Sequence, residues 1–383
     1  MKKVQLGTIA ALLFLSFSCN RESREDMTAL PEQYNAQYYI DLAETMLLED
    51  EKEIALHSKD RDTSNGSYQT EKSAGHGMIY VPAGSHNSLQ AAIDAVGMGG
   101  TVILESGTHI EDNSVNITKR VTIKGQEGAI LRFDTEPDLD DTPPARMDPG
   151  LYINGAIGVL IENIAFRSID GLAGTAILCR NTNYVRIKGN SIEEHLFGVV
   201  QQHANNTRIY DNHMVGGGEW CILNVNGKNM RIYNNTLGPI FVGDRGGLIF
   251  NNLFDNGNAV GILFCTPRLE PGYLQLPDGT LASAERSATR WLALNNMAID
   301  MVWAYLVIDG ANNNILVNNN ATGSLLADIE MAGPSERFGT SAPTSYRNLT
   351  ISAAYPDMTI KVCGENNRAI GGTLIDTNVF PCD

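Results

Sequence analysis

Basic side chains are scarce in this sequence. Its 383 residues contain 28 Lys and Arg against 44 Asp and Glu, which gives a formal net charge of -16. Proteins that bind nucleic acids usually present a strongly basic face. The composition therefore argues against a nucleic-acid partner and against general affinity for polyanions. A local basic groove or a bridging divalent cation could still bind an acidic ligand, because local charge can differ from net charge.

Long apolar runs and metal-binding cysteine spacings are also missing. Beyond the first twenty residues, no apolar stretch is long enough for a transmembrane helix. None of the 6 cysteines lies in a Cys-X-X-Cys or Cys/His spacing typical of a zinc site. The sequence therefore indicates neither a membrane-spanning helix after the N-terminus nor a zinc site.

The N-terminus predicts export. Lys2 and Lys3 precede a short apolar run that ends in LSFSC at residues 15–19, which is the charge order and length of a secretory signal. This ending resembles a bacterial lipoprotein lipobox, although Leu15 stands one place further from Cys19 than usual. The resemblance implies a signal peptide over residues 1–18, lipidation of Cys19, and anchoring to the bacterial envelope by that lipid alone. An ordinary signal peptide with an incidental cysteine is the alternative.

The remaining cysteines fall into two groups. Export places them in an oxidising compartment. Cys363 and Cys382 flank the C-terminal segment, and a disulfide between them would hold that segment to the body. Cys179, Cys221 and Cys265 lie inside apolar runs, where a thiol acts as a small buried hydrophobe.

The composition divides the exported chain into two parts. Residues 19–78 are polar and charged and predict a tether with a short helix around residues 40–56. Residues 79–383 predict a single folded domain, which we expect to be a monomer. Near its start, Leu89, Ala92 and Ile93 fall on one helical face, and Asn87 or Ser88 can cap that helix. Such a short helix would cover the open end of whatever follows it.

A seven-residue phrase recurs through the folded part. It reads RIKGNSI at 186–192, RIYDNHM at 208–214 and RIYNNTL at 231–237. Short β-rich runs separated by Gly, Asn or Asp fill each unit, which excludes helical repeats. Leucines are not spaced as a leucine-rich horseshoe requires. Units of this length predict the coils of a parallel β-helix, with a corner asparagine in each. The corner asparagines are Asn163, Asn190, Asn212, Asn235, Asn252, Asn296 and Asn319.

Asparagine suits a tight corner for two reasons. It tolerates the left-handed backbone conformation, and its amide can hydrogen-bond to the amides of the coils above and below. The stacked amides would form a ladder inside the corner. In the repeated phrase, the isoleucines would then point into the coil, and Arg186, Arg208 and Arg231 would point out.

Three segments resemble a known superfamily. NSLQAAIDAVGMGGTVILESGTHIEDNSVNITKRVTIKG at 87–125 resembles the opening of right-handed parallel β-helix proteins of the pectate-lyase-like superfamily. Residues 198–218 and 220–240 resemble its generic coils. The resemblance covers about residues 79–380 and implies an all-β, single-stranded right-handed parallel β-helix with an N-terminal capping helix. Because the matching residues belong to the scaffold, the resemblance says little about activity.

The superfamily contains enzymes that act on polysaccharides and many members without catalytic activity. The DPHD-type motif of its mannuronan epimerases and the aspartate-rich signature of its polygalacturonases are absent. No catalytic residue can therefore be transferred from a named family. We expect an exported protein that engages polysaccharide as a lyase or epimerase on uronic-acid chains, or else a non-catalytic glycan-binding or structural protein of the envelope.

In this architecture substrates lie along an outer sheet, which makes its outward residues the candidate site. Alternation within LVIDG, ADIEMAG and MTIKVCG places Asp309, Asp328, Glu330 and Lys361 outward on one exposed face. Asp309, Asp328 and Glu330 could hold Ca²⁺ against a uronate, and Lys361 could act as the base. Asp328 and Glu330 could instead hydrolyse a neutral glycoside. The alternative is that these charges only solvate the sheet or block edge pairing.

The arginine positions suggest a second surface. Arg186, Arg208 and Arg231, followed two positions later by Lys188, Tyr210 and Tyr233, would form a cationic and aromatic stripe on the second strand of each coil. A stripe of this kind could bind an acidic glycan through stacking on tyrosine and pairing with arginine. A solvated surface with no ligand is the alternative.

Overall fold

The computed structural model describes most of the folded domain and one segment before it. The described residues are 36–59, 77–133, 145–146, 149–169, 173–215, 218–255, 259–265, 274–275, 287–333, 344–379 and 382. The predicted signal peptide and Cys19 lie outside these ranges. Within them, no helix is long and apolar enough to cross a membrane.

Three long parallel sheets, here named A, B and C, make up the described body. Sheet A consists of Met78–Val81, Thr101–Leu104, Thr122–Gly125, Leu160–Glu162, Arg186–Lys188, Arg208–Tyr210, Met230–Tyr233, Arg245–Phe250, Thr289–Leu294, Ile315–Val317, Leu349–Ser352 and Arg368–Gly371. Sheet B consists of Gly107–Glu111, Ala129–Phe133, Ala165–Ser168, Ser191–Ile192, His213–Met214, Thr236–Leu237, Leu253–Asp255, Met297–Ile299 and Asn320–Thr322.

Sheet C and one small strand pair complete the β-structure of the described residues. Sheet C consists of Val115–Ile117, Pro149–Asn154, Ala173–Arg180, His195–Gln202, Trp220–Asn224, Ile240–Val242, Val260–Phe264, Trp303–Val307, Ala327–Met331, Thr359–Val362 and Thr373–Leu374. The pair joins Ala145–Arg146, which lies between a strand of sheet B and a strand of sheet C, to Leu274–Gln275, which lies between a strand of sheet C and a strand of sheet A.

The chain visits the sheets in the order A, B, C and then returns to A. Neighbouring strands within a sheet therefore come from successive coils, and they pair in parallel, as Arg186–Lys188 does with Arg208–Tyr210. Parallel strands joined in this way turn in the right-handed sense. The predicted right-handed parallel β-helix is confirmed.

The repeated phrase places its isoleucines in the core. Ile187, Ile209 and Ile232 are fully buried and belong to one continuous apolar cluster that runs the length of the coils. Successive isoleucines are partners in sheet A. Because side chains alternate across a strand, the arginine before each isoleucine and the residue after it point out of the coil.

Corner asparagines form the predicted ladder between sheets A and B. The Nδ2 of each member donates to the Oδ1 of the asparagine in the next coil at 2.8–3.1 Å, except at the last member, Asn319, whose Nδ2 donates to the backbone oxygen of Ala293. Each of these side chains is buried. The same Oδ1 atoms accept backbone amides. The members are Asn190, Asn212, Asn235, Asn252, Asn296 and Asn319.

We expected one asparagine to adopt the left-handed conformation and also to supply the ladder amide. In the structure, two consecutive residues share these roles. The residue before each ladder asparagine adopts the left-handed conformation, with φ of +63° at Gly189 and +56° at Asn234. Asn163 occupies this preceding position, with φ of +59°. Its neighbour Ile164 takes the ladder place and donates its amide to Asn190. The expectation that Asn163 belongs to the ladder was therefore wrong by one residue.

A second ladder, which the sequence reading missed, lies between sheets C and A in the later coils. Asn314 donates to Asn348 at 3.0 Å, and Asn348 donates to Asn367 at 3.0 Å. Its members stand 34 and 19 residues apart, so the sequence has no regular spacing that predicts this ladder.

The capping helix, Leu89–Ala95, covers the first coil as predicted. It is named α2 because one helix precedes it. Its residues Leu89, Ala92 and Ile93 are buried. Ser88 stands at the N-cap but makes no side-chain cap. Glu111 caps α2 instead, since its Oε1 accepts the amides of Ser88 and Leu89 at 3.0 and 2.8 Å. Burial raises the pKa of Glu111, and those amide bonds oppose the rise.

Helix α1, Ala36–Lys59, lies within the segment expected to be a tether. It is longer than the short helix we predicted, and it packs on the outer face of sheet A. Tyr39 and Ala43 share an apolar cluster with Leu248, Leu292 and Leu349. Part of the predicted tether is therefore docked on the β-helix.

Cysteine placement follows the sequence interpretation. Cys363 and Cys382 form a disulfide with a Cα–Cα distance of 5.7 Å. Cys179, Cys221 and Cys265 are free and buried. Burial raises the pKa of the Cys179 thiol to about 12, which leaves it unreactive as a nucleophile.

Candidate functional site

The outer face of sheet C carries an apolar row. Its residues are partners across successive coils, and they form a buried cluster separate from the core. The row runs through Tyr152, Leu178, Val200, Leu223, Phe241, Leu263 and Leu306. In the next two coils the same row continues as Glu330 and Lys361. The strands that hold these charges therefore stack in the register that the sequence indicated.

Glu330 and Lys361 face each other at the end of this row. Lys361 Nζ lies 3.4 Å from Glu330 Oε1, and the indole Nε1 of Trp303 donates to Glu330 Oε2 at 2.7 Å. Glu330 is only 4% exposed, so this is not the exposed face that we expected. Both oxygens of Glu330 have protein partners, and the ion pair holds Lys361 in place.

The remaining predicted carboxylates have separate environments. Asp328 Oδ2 accepts the amide and the hydroxyl of Thr359 at 2.7 and 2.9 Å. Asp309 adopts φ of +52° in the turn after its strand and does not share the row. Among the residues described, no three His, Cys, Asp or Glu side chains are close enough to hold a metal ion. The structure does not bring Asp309, Asp328 and Glu330 into one calcium site.

This geometry limits the chemistry available at Lys361. A general base must reach the proton that it removes, in an uncharged form. Lys361 is largely buried, and its Nζ lies 3.4 Å from Glu330 Oε1, so a substrate would have to displace Glu330 to reach the amine. The cluster of Trp303, Glu330 and Lys361 therefore resembles a closed polar network more than a site open to substrate.

The outer face of sheet A holds the second predicted surface, and helix α1 divides it. Arg208 and Arg231 are only 4% and 5% exposed, because Asp50 of α1 lies against both of them. Arg231 Nε donates to Asp50 Oδ2 at 3.0 Å, and Arg208 Nη2 donates to Asp50 Oδ1. Neither arginine belongs to an open stripe, which corrects the expectation for these two residues.

The rest of the stripe remains partly open. Arg186 and Lys188 project from one strand and are half-buried. Neither forms an ion pair with a carboxylate in the part of the chain that the structure describes. Tyr210 and Tyr233 continue the row of Lys188. We name Arg186, Lys188, Tyr210 and Tyr233 the sheet A patch.

The tyrosines of the patch stack on each other. Their ring centroids lie 4.9 Å apart with planes 7° from parallel, and Lys188 Nζ lies 5.7 Å from the Tyr210 centroid. One face of each ring is therefore occupied by the other tyrosine, and Lys188 lies over the second face of Tyr210, so a sugar cannot stack on Tyr210 without moving Lys188. Burial raises the pKa of Tyr210 and of Tyr233, which keeps both hydroxyls neutral as hydrogen-bonding groups.

His195 is a buried group to which the sequence assigned no role. Its Nδ1 is 2.7 Å from the backbone oxygen of Glu193, so Nδ1 carries the proton and donates. Its Nε2 is buried and has no hydrogen-bond partner among the described residues. Burial is the main cause that lowers the pKa of His195 to about 4. The sequence did not predict the burial of His195, because His195, His203 and His213 occupy no recurring position in the coils.

A concave surface lies beside the N-terminal cap. Its volume is about 470 Å³, and Asn87, Gln90, Glu111 and Asn116 contribute to its lining. Gln90 Oε1 accepts the amide of Asn116 at 2.6 Å, and Glu111 caps α2. Gln90 and Glu111 thus form hydrogen bonds that hold the capping helix on the first coil, and we assign no ligand to the concave surface.

Comparison with known proteins supports the fold. No family model and no curated protein matches this chain. Among solved structures, the PL6 family alginate lyase AlyGC matches with a TM-score of 0.50 and 15% identity, over 76% of this chain and 40% of that enzyme. An alginate lyase from Paenibacillus sp. str. FPU-7 matches with a TM-score of 0.44 and 14% identity, over 78% and 97% of the two chains.

A third similar structure is a bacterial surface protein. The Streptococcus pneumoniae surface protein and adhesin PfbA matches with a TM-score of 0.46 and 13% identity, over 76% of this chain and 93% of that one. At such low identity these likenesses concern the fold alone. The fold is a right-handed parallel β-helix.

Proposed function

We propose that this protein binds an acidic polysaccharide, with uronic-acid chains as the ligand class, through the sheet A patch. The observation that carries the proposal is the pair of Arg186 and Lys188, two outward cations on one strand without a carboxylate partner among the described residues. Guanidinium and ammonium groups form strong, charge-assisted hydrogen bonds with carboxylates. The likeness in fold to an alginate lyase is consistent with this ligand class.

The local charge allows this binding despite the acidic composition. Glu162, the partner of Lys188 across sheet A, is already paired with Lys124 at 3.2 Å. Lys188 therefore keeps its charge available for a ligand, and the Tyr210 hydroxyl can bond to sugar oxygens beside it. Successive strands place such groups about 4.8 Å apart along the coils, which suits an extended chain.

A lyase or epimerase on uronic acids would be the catalytic form of this proposal. We assign no catalytic role to Asp328, Glu330 or Lys361, because each has a protein partner that a substrate would have to displace. Binding without catalysis is the function that the geometry supports best. Incubation with alginate and polygalacturonate tests the catalytic form, since a lyase leaves unsaturated sugar ends that absorb ultraviolet light.

The Arg186→Ala/Lys188→Ala double variant is expected to bind alginate or polygalacturonate at least about tenfold more weakly than wild type. The reason is the loss of charge-assisted hydrogen bonds, each of which is worth about 1.5 to 3 kcal/mol. Isothermal titration calorimetry at low salt measures the affinity, with dextran as the neutral glycan.

Lys228→Ala is the matched control for that experiment. Lys228 is an exposed lysine at a corner of the same coils, and its removal takes one positive charge from the protein, where the double variant takes two. Unchanged affinity in the control and weakened affinity in the double variant support the patch. Equal affinity in all three proteins, or failure of wild type to bind either acidic glycan, would contradict the proposed function.

We further propose that Cys19 carries a lipid that anchors the exported protein to the bacterial envelope. Cys19→Ser is expected to move the protein from the membrane fraction to the soluble fraction, because one thiol is the attachment point. Immunoblotting of the fractions measures the shift, and mass spectrometry of the wild-type N-terminus detects the lipid. A variant that stays in the membrane, together with a wild type that lacks lipid, rules the anchor out.

A further inference from the structure

Asp50 reaches across the chain to two arginines of successive coils. It stands 158 residues before Arg208 and 181 before Arg231, and each of its carboxylate oxygens accepts from one guanidinium. The side chains of Arg208, Arg231 and Asp50 are 5%, 6% and 12% exposed. One carboxylate is thus bound between two cations in a nearly dry setting.

The stacking of coils in the β-helix places the two arginines side by side. Arg208 and Arg231 are direct partners in sheet A, so their guanidinium groups project side by side about one strand spacing apart. Within the described ranges, Arg208 Nε is buried and has no hydrogen-bond partner. Two neighbouring buried cations repel each other, and an anion between them offsets that cost. The pair has the chemistry of a carboxylate-binding site.

The same row extends into the sheet A patch. Arg186 is the partner of Arg208, which makes three arginines in successive coils. α1 covers the second and third and leaves the first partly open. An acidic chain that bound at Arg186 and continued along the coils would meet the Asp50 carboxylate next.

We propose that Arg208 and Arg231 form a second carboxylate-binding site of the same glycan surface, and that Asp50 of α1 occupies it as an internal competitor. An acidic glycan displaces Asp50, and with it the part of α1 that carries Asp50, when its carboxylate binds between the two arginines. The glycan as ligand rests on the proposed function, whereas the carboxylate chemistry rests on the two arginines alone. A ligand shifts α1 only by its preference for the undocked state.

Acetate rescue tests the carboxylate site without any glycan. In Asp50→Ala, we expect backbone amides of α1 to exchange at least about tenfold faster, because two buried cations lose the carboxylate that lies between them. Sodium acetate should restore the protection of α1 and raise the melting temperature, whereas sodium chloride at equal ionic strength should not. Asp50→Asn, which keeps the size of the side chain, is the second variant.

Glu44→Ala is the matched control in these measurements. Glu44 is exposed on the same helix, so its loss removes one charge without touching the arginines. Acetate should have no specific effect on this control or on wild type. If acetate and chloride act alike on both Asp50 variants, the carboxylate site is refuted.

Alginate competition tests the displacement. Alginate should accelerate exchange of α1 amides in wild type, and Asp50→Ala should bind alginate several-fold more tightly than wild type or Glu44→Ala. Glycan binding that leaves α1 exchange and the Asp50→Ala affinity unchanged overturns the displacement while the proposed function stands. Acetate rescue without glycan binding in any variant overturns the proposed function and leaves the carboxylate site in place.

Discussion

Replacing Asn235 with leucine is expected to destabilise the β-helix by on the order of 4 kcal/mol, because the buried amide connects three coils. Its Nδ2 donates to the backbone oxygens of Ile209 and Tyr233, each at 3.0 Å, and to Asn252 Oδ1 at 2.9 Å. Its Oδ1 accepts the backbone amide and the side-chain amide of Asn212. Leucine would leave these groups buried without partners, at about 1 to 3 kcal/mol for each unsatisfied group.

Urea denaturation followed by circular dichroism measures the loss of stability. Asn234→Gly is the matched control, since Asn234 lies one residue away in the same corner, is exposed, and has φ of +56°. Glycine adopts that conformation readily, so the control should cost no more than about 1 kcal/mol. Similar losses in both variants would mean that the corner depends on its backbone conformation and not on the ladder.

Lowering the pH from 6.5 to 4 is expected to destabilise wild type more than His195→Asn, by a difference on the order of 3 kcal/mol. Burial lowers the pKa of folded His195 from 6.5 to about 4. Between these values the unfolded chain binds a proton that the folded chain does not, so the free energy of unfolding falls as the pH falls. Each pKa unit corresponds to about 1.4 kcal/mol.

Asparagine is the chosen replacement because its side-chain amide can keep the bond that Nδ1 donates to Glu193 O. His203→Asn is the control, since His203 is exposed and has φ of +52°, a conformation that asparagine tolerates. Denaturant titrations at pH 6.5 and at pH 4 yield the difference for each protein. If His195→Asn retains the full pH dependence of wild type, other groups cause the acid sensitivity.

The sheet A patch and the Asp50 site together suggest why α1 is so long. α1 packs on the strands of later coils through Tyr39 and Ala43 and reaches the arginines of earlier coils through Asp50. It therefore runs along the coils over the outer face of sheet A. The extent of this face that is open to a ligand depends on whether α1 is docked.

The sequence by itself determined the architecture of the individual coil. The repeated phrase indicated a β-helix, the inward isoleucines Ile187, Ile209 and Ile232, and most members of the corner ladder. It also placed Glu330 beside Lys361, because apolar alternation fixes which residues face the core. These features recur within each coil, so their physical cause is local: the period of a strand and the conformation of a tight corner.

Only the tertiary structure decided which outward residues are open. Arg186, Arg208 and Arg231 occupy the same place in the phrase, yet Asp50 buries the last two from a position more than 150 residues earlier. Glu111 caps α2 from the second strand after it, and Trp303 binds Glu330 from the preceding coil. Alternation shows that a side chain leaves the core, but it does not show what packs against it. That depends on contacts between distant segments, which follow no period in the sequence.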